Sequence, residues 1–208
     1  MSAFLGRIIH FFEGAGLSGL ALDLVSCALF AVLVMGFVVV FGSFIERVDT
    51  FLTTAMAQAT GRRAALFIIN RVMFVGTVFH ELSHALFAIV TGAKVKKIRC
   101  FTLFSKDMLG YVEFIPQGGK VKKALQTSLT SCAPVLTGFV TVPFFFRLGL
   151  SDDVVWWLRA PCFYVSASIA CHMSMSVEDL KLYGRGAVFT YPILVASLYA
   201  YRVLLMPV

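Results

Sequence analysis

Long apolar stretches separated by short polar ones dominate the chain, at residues 20–44, 64–90, 124–146, 154–173 and 187–205. A helix needs roughly 20 apolar residues to cross a bilayer, so each of these is a candidate transmembrane helix. The pattern predicts an all-α membrane bundle of about five transmembrane helices. Between the second and third stretches the period changes. Lys94-Val95-Lys96-Lys97-Ile98-Arg99-Cys100-Phe101 partly alternates, and so does Gly110-Tyr111-Val112-Glu113-Phe114-Ile115, with Ser105-Lys106-Asp107 between them. Period-two runs around a polar turn predict a small β-hairpin between the second and third helices. Pro116 and the Gly118-Gly119 pair then end it.

Composition supports a lipid environment. Of the 208 residues, 59% are apolar and 14% are charged, against about half and about a quarter in a soluble domain. The length fits one domain over residues 1–208. Residues 1–16 show no signal-peptide cleavage pattern and read as a short amphipathic helix on the membrane, with His10 interfacial. Five scattered cysteines without a C-x-x-C pair read as small apolar fillers, not as a disulfide framework.

The net charge of +7 is distributed as in a membrane protein. Basic residues gather between apolar spans rather than on an aromatic-interleaved stripe, which excludes nucleic acid as a partner. Lys94, Lys96, Lys97, Arg99, Lys106, Lys120, Lys122 and Lys123 face only Asp107 and Glu113 in the loop 93–123. That excess places the loop on the cytoplasmic side. The acidic Ser151-Asp152-Asp153 turn then falls on the far side, and Lys181 and Arg185 mark a second cytoplasmic turn after the fourth span. Arg62 and Arg63 run against this scheme. Asp23 reads as interfacial, Arg71 as a polar group within a span, and Trp156-Trp157 as part of an aromatic belt.

The chemistry lies in the second span. In His80-Glu81-Leu82-Ser83-His84 the two imidazoles stand one helical turn apart on one face, where both can reach one metal ion. Glu81 adjoins the first of them and can take a proton from a metal-activated water. Ionisable groups inside an apolar span are costly, which makes a functional role the ordinary reason for them. The plainer alternative is polar residues joining two helices.

Phe79-His80-Glu81-Leu82-Ser83-His84-Ala85-Leu86, followed by Thr91-Gly92-Ala93-Lys94-Val95, resembles the active-site helix of the site-2 protease family of intramembrane zinc metalloproteases. The β-rich segment 95–115 and Ala133-Pro134 resemble further parts of that family, over residues 70–186 in all. The resemblance implies one Zn2+ held by two histidines and a distant aspartate, a glutamate base, and membrane-spanning or membrane-associated protein substrates. The family's frequent PDZ module has no room here.

A third ligand must sit at the depth of His84, which directs attention to the run Cys171-His172-Met173-Ser174-Met175-Ser176-Val177-Glu178-Asp179-Leu180. The resemblance favours Asp179, with Glu178 and His172 as alternatives. The family's Asn-Pro and Leu-Asp-Gly patterns are absent from this run, and Ser176-Val177-Glu178-Asp179 also reads as a helix-capping box. Cys171, His172, Met173 and Met175 have the softness of copper ligands, although membrane methionines are usually packing. The rival functions are a metal transporter and a proteolytically inactive binding partner.

Overall fold

The computed structural model describes residues 19–100 and 110–205. The expected surface helix at residues 1–16 and the Ser105-Lys106-Asp107 turn lie outside the described residues. The elements in order are α1 (Leu20–Thr60), α2 (Arg62–Phe67), a π-helical turn (Ile68–Val72), α3 (Phe74–Val90), β1 (Lys94–Arg99), β2 (Tyr111–Ile115), α4 (Lys120–Ser131), α5 (Ala133–Leu150), α6 (Trp156–His172) and α7 (Val177–Leu205). The described residues are thus mostly helical, with one two-stranded antiparallel sheet among them between α3 and α4.

α1, α5 and α7 are long and apolar enough to cross a membrane, and α2 with α3, bent by 51°, would make a fourth span as a broken pair. The expected count of five separate spans is not reproduced. The first span overshoots its expected end at residue 44, because α1 runs for 41 residues, roughly 60 Å at 1.5 Å per residue. Nothing breaks it before Gly61, whose φ of 86° sits in a region glycine enters without steric cost.

Contacts between helices fix their directions. Val72, Gly76 and His80 meet Tyr164, Ser168 and His172 in turn, so α3 and α6 run the same way. Gly42, Met35 and Ala28 of α1 meet Met175, Tyr183 and Tyr191, so α7 runs against α1. His84 meets Thr130 and Thr91 meets Gln126, so α4 runs against α3. Gly186 of α7 lies on Ala124 and Ser128, one turn or more past the level of Asp179 beside His84. α6 and α7 therefore keep one direction. Met173–Ser176 interrupts a descending path and does not reverse it, which corrects the expected cytoplasmic turn at Lys181 and Arg185. Those residues lie inside α7, because Ser176 and Asp179 restart the helix at once.

Three of the four passes are broken: α2–α3 at the π turn, α4–α5 at Cys132, and α6–α7 at residues 173–176, the last two near the level of His80 and His84. Two of these breaks have a local cause. Pro134, in the first turn of α5, has no N–H to continue α4. At the π turn, the Val72 and Met73 carbonyls are taken by Tyr164 and Ser168 hydroxyls.

Packing depends on small and polar side chains, as expected where lipid removes the hydrophobic drive between helices. Buried Ser83, Gln126, Ser128, Ser131, Ser166 and Ser168 all bond to neighbouring backbone or side chains. Gln126 ties the Thr91 carbonyl at the end of α3 to the Gln117 N–H after β2, at 2.8 and 2.7 Å. At the far end Asp23 pairs with Arg202 at 2.7 Å, so the aspartate expected to be merely interfacial closes α1 onto α7. A Cβ added to Gly186 would lie 2.1 Å from Ser128 Oγ and 2.5 Å from the Ala124 carbonyl. Gly186→Val should therefore wedge α7 off α4 and cost about 2 kcal/mol or more. Thermal unfolding in detergent, compared with Gly184→Val where a Cβ meets open space, checks this.

Candidate metal centre

α3 carries His80 and His84 into the level where the other helices break. Their Nε2 atoms are 3.1 Å apart and their rings meet edge to face, with centroids 4.7 Å apart. Helical spacing alone does not produce this approach. His80 Nδ1 donates to the His172 carbonyl at 2.7 Å, and His84 Nδ1 donates to the Thr130 carbonyl at 2.7 Å. A carbonyl can only accept, so each imidazole carries its proton on Nδ1. When both rings are neutral, the two Nε2 lone pairs then face one another. That repulsive arrangement calls for a cation.

Both carbonyls are available because of the helix breaks. In a continuous helix the Thr130 oxygen would accept from the N–H of residue 134, but residue 134 is proline. The His172 oxygen lies at the last residue of α6, where carbonyls lose their helical partners. The two protein breaks thus supply the hydrogen-bond acceptors that orient the two rings.

Asp179 completes the group. Its ligand oxygen and the two imidazole nitrogens all lie within 4.8 Å of one another, and Oδ1 is 3.6 Å from His84 Nε2. The other oxygen, Oδ2, accepts from the Ser176 backbone N–H at 3.0 Å and from the Ser176 hydroxyl at 2.6 Å, and Ser176 Oγ accepts from the Asp179 N–H at 3.1 Å. The capping box and the approach to the histidines therefore use different oxygens of one carboxylate. Glu178 points elsewhere, exposed and paired with Lys181 at 2.7 Å. His172 turns its own Nδ1 to the Ser168 carbonyl at 2.9 Å and reaches the site only through its backbone oxygen.

Two imidazole nitrogens and a carboxylate, buried or half-buried, form the three-ligand donor set that catalytic zinc uses with one position left open. The rings' other nitrogens are fixed by carbonyls, as ligating histidines require. The residues fit a zinc ion. Met173 and Met175 serve packing: a Cβ on Gly138 would lie 2.8 Å from Met173 Cβ, and one on Gly42 would lie 2.8 Å from Met175 Cγ.

Glu81, half-buried beside His80, lies under the start of β2. A Cβ on Gly110 would come within 2.7 Å of Glu81 Cγ and 2.9 Å of the Arg99 and Cys100 carbonyls. The chain entering β2 therefore packs directly on the Glu81 side chain, and only glycine fits there. The roles of the Thr130 and His172 carbonyls and of Gly110 were not foreseen from sequence. Pro134 was the one available signal, through the carbonyl it leaves without a helical partner.

Residues 51–202 match the sequence profile of the family described as Peptidase M50B-like, which covers well over half of the chain and all four of the residues considered above. No curated protein and no solved structure matches the chain. The donor set, the hairpin and this match agree: the chain belongs to the M50B-like peptidases, the site-2 protease family of membrane metallopeptidases.

Proposed function

We propose that the protein is a zinc-dependent endopeptidase that hydrolyses peptide bonds of membrane-spanning or membrane-associated substrates within the bilayer. The observation that carries this is the pair of facing Nε2 atoms 3.1 Å apart with a carboxylate oxygen beside them. His80, His84 and Asp179 are the ligands in this reading. Bound zinc would supply a Lewis acid and a water whose pKa is brought near neutrality.

The chain's own groups do the rest. The Thr130 and His172 carbonyls hold both imidazoles in the Nδ1–H tautomer, so that Nε2 stays basic. Ser176 holds Asp179 Oδ2 and leaves Oδ1 free to face the site. Glu81 takes the proton of the attacking water and later delivers it to the leaving amine nitrogen. A helical substrate must unwind first, because its carbonyls are engaged, and the hairpin's open strand edges offer the unwound segment backbone partners. The whole chain acts as one membrane domain, with the loop 93–123 on the cytoplasmic side through its basic excess.

Metal analysis of purified protein tests the assignment. His80→Ala and Asp179→Ala should lose zinc, whereas Glu81→Gln should keep it and lose cleavage by roughly 10²–10⁴-fold. A transporter built on the same donors would keep its flux in Glu81→Gln. Zinc retained in Asp179→Ala would remove that residue from the ligand set.

Pro134→Ala provides a second test. The new N–H at residue 134 would compete for the Thr130 carbonyl and loosen His84. Zinc affinity should fall by about 10–100-fold, the usual effect of losing a partner behind a metal ligand. Competition titration with a zinc chelator measures this, and the Glu81→Gln protein serves as the unaffected reference.

A further inference from the structure

The hairpin contains a feature that membrane sidedness does not require. β1 and β2 pair in the register Lys94–Ile115, Val95–Phe114, Lys97–Glu113, Ile98–Val112 and Arg99–Tyr111, with an irregularity between Val95 and Lys97. Strict alternation from Lys94 would put Lys97 and Arg99 on the opposite face, beside Val95. The extra residue, Lys96, shifts the phase by one. Directly paired residues share a face, so Lys94, Lys97 and Arg99 all lie with Tyr111, Glu113 and Ile115. Val95, Ile98, Val112 and Phe114 form the other face, and of these Val95, Val112 and Phe114 are half-buried in a sheet that packs on α3. The bulge thus separates a basic outward face from an apolar inward one.

The outward charges are weakly compensated. Lys94, Lys97 and Arg99 are exposed, and Glu113, the acidic residue among them, is drawn to Lys96 at 3.7 Å. Lys97 and Arg99 stand over the Tyr111 ring, 5.5 and 5.8 Å from its centroid, which holds the two cations in place. The row extends over roughly 17 Å along β1 at about 3.3 Å per residue. Topology needs these charges in the loop but has no use for a bulge that turns them to one side. The same hairpin packs on the Glu81 side chain at Gly110.

We propose that this outward face docks an aspartate- or glutamate-rich stretch of the substrate flanking the cleaved segment. The proposal rests on the peptidase reading above and names the class of substrate that this hairpin selects. An extended row of cations fits an extended run of carboxylates emerging beside the site. A face built to enter lipid would instead carry its apolar side chains outward, whereas here most of them turn towards α3 and Ile115 is the exposed aliphatic residue of the basic face.

The test uses the full chain in phosphatidylcholine vesicles. The probes are synthetic transmembrane peptides with three glutamates, three glutamines or three lysines on either flank. The wild-type protein should favour one glutamate-flanked peptide by roughly tenfold in kcat/KM, expressed in KM, with the preference shrinking as salt rises. Lys94→Glu/Lys97→Glu/Arg99→Glu should transfer the preference to the lysine flank, and Lys97→Gln/Arg99→Gln should abolish it. An unchanged ranking in the charge-reversed variant would overturn the proposal. So would an effect that appears only when phosphatidylglycerol is added and ignores the flank, since that marks a lipid-binding surface. Peptide retention by Glu81→Gln separates the two readings. A retained flank preference without any wild-type cleavage would sink the peptidase reading and leave the docking face standing, whereas equal retention of all flanks would overturn the docking face.

Discussion

Two imidazole N–H groups, each donating to a backbone carbonyl at a helix end, are the constraint on which the rest of this structure turns. Once His80 gives its Nδ1 proton to the His172 carbonyl and His84 gives its own to Thr130, the Nε2 atoms have only lone pairs to offer one another. Neither ring can rotate away without leaving its N–H donor unpaired in a nonpolar interior, a loss of about 1–3 kcal/mol. The two rings are thereby held with their Nε2 atoms 3.1 Å apart.

The helix breaks that look like imperfections are the source of that geometry. Within an unbroken helix each carbonyl already accepts one backbone N–H, whereas a helix end leaves carbonyls whose helical donor is missing. Here Pro134 frees one oxygen, the end of α6 frees another, and Ser176 caps the restarted helix with the same aspartate that faces the histidines. The cost of the breaks is offset by close packing around them. Gly42 and Gly138 receive Met175 and Met173, and buried serine hydroxyls find backbone oxygens on neighbouring helices. In a membrane such bonds contribute about 0.6–2 kcal/mol each, so the site is supported by many small terms.

Above this core the hairpin acts as a two-sided element. Its apolar face rests on α3, and Gly110 lets it lie directly on Glu81. Its outer face is basic because one extra residue changes the phase of a strand. The hairpin thereby packs on the Glu81 side chain and presents a charged surface to whatever approaches it.

The amino-acid sequence determined the local chemistry and the environment. Apolar run lengths required a membrane bundle, period-two runs required strands, and the spacing of His80 and His84 required two rings on one helix face. These are near-neighbour properties, set by 3.6- and 2-residue periods that any segment carries with it. Asp179 was legible through a resemblance and as a capping residue, but its double use of two oxygens was not. What tertiary structure alone decided is where chains far apart in sequence meet. The four-pass path with α6 and α7 in one direction, the Asp23–Arg202 closure, and the two backbone carbonyls behind the histidines are of this kind. Backbone oxygens are identical at every position, so no sequence pattern marks the ones that packing will bring to a ring nitrogen. Pro134 came nearest to being such a mark, because a missing N–H four residues on is the one local sign that a carbonyl is left without its helical donor.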